Sequence, residues 1–243
     1  MSVAILEPVA KYNAVFYPES DGLPMSDNTK QFDWIVMIKL GLENLFRDDP
    51  AVFVAGDLLW YPVQGNNKIR RAPDAMVAFG RPKGHRGSFL QWKEANIAPQ
   101  VVFEVLSPGN TASEMKQKLQ FYADYGVEEY YIYDPDRGTL KGYKRVGQVL
   151  ERILIMRGWV SPRLGVRFDL DEFDLCLYYP DGRPFESYLE IARRADRAKA
   201  RRQEAEARAI AETRADMETK ARVIAEARIR ELEVKLKQLG ESS

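Results

Sequence analysis

The sequence predicts an α/β core followed by one long charged helix. Three observations carry that reading. Short β-branched and apolar runs, separated by proline and glycine, alternate with two stretches of helical period. The 243 residues are 45% hydrophobic, enough for one sizeable core, and the length allows one or two domains. From Tyr188 to Leu239 there is neither proline nor glycine, and alanine, arginine and glutamate dominate.

Residues 1–26 mix proline, glycine and short apolar runs and read as an N-terminal arm. A helix is expected over Thr29 to Phe46, with Phe32, Ile35, Val36, Ile38, Leu40, Leu42 and Leu45 as its apolar set. Ser26 or Asn28 can cap it, and Asp48, Asp49 and Pro50 end it. Val52 to Tyr61 reads as one strand, Pro62 to Asn67 as a turn, and Ile69 to Phe79 as a strand broken by Pro73. Gly80 to Ala98 reads as a loop. Gln100 to Leu106 is a strongly apolar strand stopped by Pro108 and Gly109. A second helix runs from Ala112 to Tyr125 and closes at Gly126. Glu129 to Asp134 is a strand, and Leu140 to Tyr143 with Gln148 to Met156 form a hairpin-like stretch. The core is expected over 27–185 and a charged helical extension over 186–243.

At about 1.5 Å per residue the extension reaches roughly 75 Å, too long for a compact core. Ile229, Leu232, Leu236 and Leu239 follow a coiled-coil spacing, while Ile210, Met217, Ala221 and Ile224 follow another phase. Pairing with a second copy or a protein partner and a solvated single helix both fit this pattern. Arg193, Arg194, Arg197, Lys199, Arg201 and Arg202 form a basic cluster, read either as a solvated face or as a nucleic-acid contact.

Charge and rare residues narrow the functions. With 36 basic and 36 acidic residues the formal net charge is zero, so there is no global basic field for nucleic acid. One cysteine, Cys176, excludes an internal disulfide and reads as a small buried apolar residue in Leu-Cys-Leu. The sole histidine, His85, lies in a polar loop, against histidine triads and histidine-rich zinc sites. No run approaches the length of a membrane span and the N-terminus lacks a signal pattern, so a cytoplasmic location is expected.

Two acids stand on expected core strands. Alternation puts Glu104 on the face of Val102 and Leu106, opposite Val101, Phe103 and Val105. Asp74 precedes the run Ala75 to Phe79. A carboxylate inside an apolar strand is costly without compensation. An arginine partner for Glu104 and a strand-entry role for Asp74 would satisfy that demand; so would a shared cation. On the helical wheel of 112–125, Lys118 lies in the middle of the apolar side, between Tyr122 and Tyr125. A lysine there either snorkels or points at an anion. Glu114, one turn earlier, either joins it or closes a capping box with Thr111. Asp, Glu and Lys from two strands and a helix suit metal-assisted phosphodiester hydrolysis, with hard oxygen ligands favouring Mg²⁺ or Mn²⁺.

Pro73-Asp74, the run Glu104-Val105-Leu106-Ser107-Pro108, Lys118 with Tyr122, the run Gly126-Val127-Glu128-Glu129-Tyr130, and Asp134-Pro135 together resemble the Uma-type restriction-endonuclease family of the PD-(D/E)XK nuclease superfamily. The likeness spans Asp21 to Phe185. It implies a restriction-endonuclease-like core, a central mixed sheet flanked by helices with the metal site at one end. It also implies Asp74 and Glu104 as metal ligands, Lys118 as the catalytic lysine, and Glu114 and Ser107 in support. The superfamily's usual lysine position is Leu106 here, and Lys118 on the helix takes its place. Many members carry a histidine or glutamate on the first helix; the polar residues there are Asn28, Gln31 and Asp33, with Gln31 the supporting candidate. The expected function is Mg²⁺- or Mn²⁺-dependent endonuclease action on nucleic acid, DNA in the first instance. The alternative is an inactive nuclease-like scaffold that assembles through its C-terminal helix.

Overall fold

The computed structural model describes residues 15–22, 24–171 and 174–240, with 236–240 described by backbone alone. The elements run in the order α1 (Thr29–Leu45), β1 (Val52–Ala55), β2 (Trp60–Tyr61), β3 (Ala75–Phe79), β4 (Phe89–Leu90), a 3-10 turn (Gln91–Lys93), β5 (Val101–Val105), α2 (Ala112–Asp124), β6 (Glu129–Asp134), β7 (Thr139–Val146), β8 (Val149–Ile153), β9 (Trp159–Val160), β10 (Arg167–Asp171), β11 (Asp174–Tyr178) and α3 (Tyr188–Gly240). The chain divides into two compact units, Met1–Ser187 and Tyr188–Ser243.

The first unit is α/β, built on a six-stranded mixed sheet in the order β1-β3-β5-β6-β7-β8. Only β5 and β6 pair in parallel, because α2 carries the chain back between them; the other neighbours are antiparallel. Each central strand is apolar on both faces, as a sheet covered on both sides requires. One face takes Ala75, Val77, Val101, Phe103, Val105, Tyr131 and Tyr133 against Ile35, Ile38 and Leu42 of α1 and against Phe168, Leu175 and Leu177 of a three-stranded sheet. The other takes Met76, Ala78, Val102, Tyr130 and Ile132 against Tyr122 of α2, Trp60 and Phe89.

Local chemistry explains the ends. Asn28 accepts from the Gln31 N–H at 2.9 Å, capping α1. Thr111 does the same for α2 from the Glu114 N–H at 3.2 Å. Tyr125 ends α2, and Gly126 follows at φ 100°, a left-handed position that glycine takes without strain.

Four expectations are corrected. Val52 to Tyr61 is not one strand: β1 stops at Ala55, and β2 pairs in parallel with β4 in a separate two-stranded sheet. Asp57 sits at φ 47° and donates its N–H to the Pro73 carbonyl at 3.0 Å, which turns the chain out of the main sheet. Ile69 to Phe79 is strand only from Ala75; before it the chain keeps a lone bridge between Trp60 and Arg71. Gly80 to Ala98 is not pure loop, since it supplies β4 and the 3-10 turn. Cys176 is half-buried, because alternation along β11 sends Leu175 and Leu177 inward and Cys176 to the other face.

The second unit is the single helix α3, 53 residues long. Ile210, Met217, Ile224, Ile229 and Leu232 are exposed along it, and the side chains of Leu236 and Leu239 lie outside the described residues. Exposed ion pairs one turn apart (Arg208–Glu212, Arg222–Glu226, Glu231–Lys235) brace its surface. Among the described residues no helix is long and apolar enough to cross a membrane.

Candidate active site

The end of β5 brings the acids together. In the β3–β5 ladder Ala75 pairs with Phe103, so the next step sets Asp74 against Glu104. Both belong to the face that α2 covers. Glu104 is 2% exposed. A buried carboxylate in that position needs charged or polar partners to offset several kcal/mol of lost hydration. α2 supplies them: Lys118 Nζ donates to Glu104 Oε2 at 2.8 Å and the Tyr122 hydroxyl donates to Oε1. The partner is thus a lysine and a tyrosine rather than an arginine. The lysine does not snorkel; its side chain is 17% exposed and it bridges Glu104 to Glu114, 3.7 Å away.

Asp74 is half-buried and its Oδ2 accepts the Val105 N–H at 2.6 Å. Burial, and then the negative charge of Glu104, push its carboxyl well above the ordinary aspartate range, although the Val105 N–H and the Lys118 charge pull the other way. Burial pulls the Lys118 ammonium down, but the charges of Glu104, Asp74 and Glu114 outweigh it and the net shift is upward. The amine therefore remains an ammonium at neutral pH.

Around this centre the first helix and the loop after β5 lock together. Gln31 is buried; its Nε2 donates to the Val105 carbonyl at 2.7 Å and its Oε1 accepts the Asp27 N–H at 2.8 Å. The Val105 peptide is thereby held at both ends, by Asp74 and by Gln31. Ser107 is buried, donating its hydroxyl to Asp27 and its N–H to Asn110 Oδ1 at 2.9 Å. Glu114 receives Asn110 Nδ2 at 3.3 Å and lies 3.7 Å from Lys118 Nζ, while its own N–H is capped by Thr111; its carboxylate is thus turned to Asn110 and Lys118, and only the Thr111 half of the capping box forms among the described residues.

These residues open on a cleft of about 910 Å³ lined by Asp74, Gln31, Glu114 and Lys118. Charged lining residues that escaped the sequence reading include Asp27, Asp57, Lys68, Arg70 and Arg71. Burial raises the Asp57 carboxyl, with Asp21 and then Glu104 adding to it. The Gly56-Asp57 pair inside an apolar run was the available turn signal, and the basic run Lys68 to Arg71 was the other. The helix cluster Arg193, Arg194, Arg197, Arg201 and Arg202 belongs to the second unit, on an exposed face of α3.

The donor set fits a hard divalent cation. Two neighbouring carboxylates raise each other's electrostatic cost, and a cation between them would remove it. Among the described residues no group of three or more His, Cys, Asp or Glu side chains is arranged to hold an ion. One or two carboxylates completed by water and substrate phosphate is how Mg²⁺ is commonly bound, in contrast to the closed cage of structural zinc.

The family described as "Uma2: Putative restriction endonuclease" matches residues 33–176, more than half of the chain and all three of Asp74, Glu104 and Lys118. Among solved structures, the crystal structure of a putative nuclease belonging to DUF820 from Anabaena variabilis is similar, with a TM-score of 0.42 and 17% identity, over 56% of this chain and 72% of that one. No curated protein matches the sequence.

Proposed function

Because the chain belongs to the Uma2 family of putative restriction endonucleases, we propose that it is a divalent-metal-dependent endonuclease that hydrolyses phosphodiester bonds, with DNA as substrate. The observation that carries this is the buried Glu104, gripped by Lys118 and Tyr122 and set against Asp74, with Asp74 and Lys118 lining an open cleft. Asp74 and Glu104 would hold Mg²⁺ or Mn²⁺, which when bound polarises a phosphate oxygen and lowers the pKa of a coordinated water. Lys118, held as an ammonium, donates hydrogen bonds to the phosphate oxygen on which charge grows, rather than removing a proton itself. Tyr122 fixes the Glu104 carboxylate, and Gln31 and Asp74 fix the Val105 peptide beside it. Glu114 orients Lys118 from one turn away.

Purified protein with Mg²⁺ or Mn²⁺ is expected to cut plasmid or single-stranded DNA. Asp74→Ala, Glu104→Gln and Lys118→Met should each lower the rate by about a hundredfold or more. Equal cleavage by wild type and Asp74→Ala would overturn the assignment.

A further inference from the structure

The cleft has an acidic floor and a basic wall, and the wall has no part in the chemistry above. Lys68, Arg70 and Arg71 all come from the connection between β2 and β3 and line the same cleft as Asp74 and Lys118. Among the described residues none of the three is ion-paired with a carboxylate. What they do contact holds them in place. Arg70 Nη1 donates to the Asn67 carbonyl at 3.0 Å, and its guanidinium faces the Tyr61 hydroxyl. Arg71 bridges Trp60 through its backbone, and its guanidinium lies 5.4 Å from the centroid of Phe121, on the helix that carries Lys118. The loop itself is propped from below: Asn67 Nδ2 donates to the Phe16 carbonyl at 2.8 Å, and the Tyr61 hydroxyl donates to the Pro18 carbonyl at 2.7 Å.

Two oriented guanidiniums and an ammonium within four residues, beside a cleft, match a ligand that carries several phosphates in a row. We propose that Lys68, Arg70 and Arg71 form the wall that grips the sugar–phosphate backbone of DNA as it enters the cleft, positioning it over the Asp74–Glu104 centre. This rests on the endonuclease reading and adds to it the surface that binds substrate. The rival basic surface, Arg193 to Arg202, lies on exposed positions of the helix α3 in the second unit. The chain's net charge of zero makes such a local wall necessary, because no overall field draws DNA in.

The test measures binding without cleavage. A fluorescently labelled duplex of about twenty base pairs is titrated with full-length protein in EDTA across a series of NaCl concentrations. Wild type should bind with a steep salt dependence. Lys68→Gln/Arg70→Gln/Arg71→Gln should weaken binding at least about tenfold. It should also flatten the slope of log K against log[salt] by up to about 2.7, at about 0.9 for each phosphate no longer neutralised. Arg70→Lys/Arg71→Lys keeps the charge and should keep most of the slope, which separates lost charge from a disturbed loop. Glutamine replacements at Arg193, Arg194, Arg197, Arg201 and Arg202 should leave slope and affinity unchanged. The proposal fails if the triple glutamine variant binds like wild type, if the helix variant alone loses binding, or if wild type has no affinity for the duplex. None of these outcomes decides the catalytic reading, since Asp74→Asn should bind the duplex normally and cut nothing.

Discussion

Asp74 carries the largest electrostatic tension in the cleft, and its consequence can be measured without any substrate. Its carboxyl is raised by burial and by the charge of Glu104. A carboxyl with a higher pKa in the folded chain than in the unfolded one holds its proton more tightly when folded. Stability is then full while the group is protonated in both states, and falls as pH climbs from the ordinary aspartate range toward the raised value. At neutral pH the folded protein bears that loss whenever no cation offsets it. Asp74→Asn keeps an oxygen for the Val105 N–H and removes the charge, so in EDTA it should melt higher than wild type at pH 7, with the difference vanishing near pH 3. Each kcal/mol regained is worth about 2–4 °C in a chain of this size. Mn²⁺ or Mg²⁺ should raise the wild-type melting temperature and leave that of Asp74→Asn unmoved. A lower melting temperature for the variant in EDTA would contradict the charge argument. The same side chains show what was legible in the sequence. Strand alternation and the helical wheel marked Glu104 and Lys118 as charged groups on packed faces, because each depends on a local period; that they and Asp74 share one place was legible only through the family resemblance. Asp57, Arg70 and Arg71 were invisible to periodicity: they reach the cleft through loops, whose path has no period to read.

Helix α1 shows how packing overrides local preference. Gly41 sits inside it although glycine costs a helix interior about 1 kcal/mol relative to alanine. The reason is the ring of Phe185, which lies where a Cβ on residue 41 would be. Phe185 is itself fixed, with its N–H on the Leu177 carbonyl at 2.7 Å and its ring 4.4 Å from that of Tyr179. Gly41→Ala therefore gains about 1 kcal/mol of propensity and loses about 1–3 kcal/mol to overpacking. A net loss of up to about 2 kcal/mol is expected in urea unfolding. In a Phe185→Ala background the collision is gone, so the same substitution should become neutral or stabilising, and the cycle reads the contact directly. Destabilisation of equal size in both backgrounds would show that the ring is not the cause. The helix itself was legible end to end, since its cap, period and stop all agree. The strand after it was not. Val52 to Tyr61 is apolar but for Gly56-Asp57, and the apolar pattern does not reveal that the left-handed Asp57 sends its two halves into different sheets.

The two units differ in what holds them, and that difference predicts how the protein melts. The first has two buried clusters on either side of one sheet, whose contacts join residues far apart in the chain, and such cores unfold as one step. The helix α3 has no comparable cluster; among its described side chains the large apolar ones are exposed, and its bracing is a few ion pairs worth about 0.2–0.5 kcal/mol each. A helix held by propensity loses its ends progressively on heating, without a sharp midpoint. Circular dichroism at 222 nm should therefore show a gradual loss from low temperature with a cooperative step superimposed, while the near-ultraviolet signal of the buried Trp60, Tyr122 and Tyr130 shows the step alone. High salt should deepen the gradual component by screening the ion pairs and leave the step nearly in place. If α3 paired along Ile229 and Leu232 with a second copy, its loss would instead become sharp and would move upward with protein concentration. A single sharp transition seen identically at both wavelengths, at every concentration, would mean that α3 and the core unfold as one body, and the independent melting argued from their interiors would be wrong.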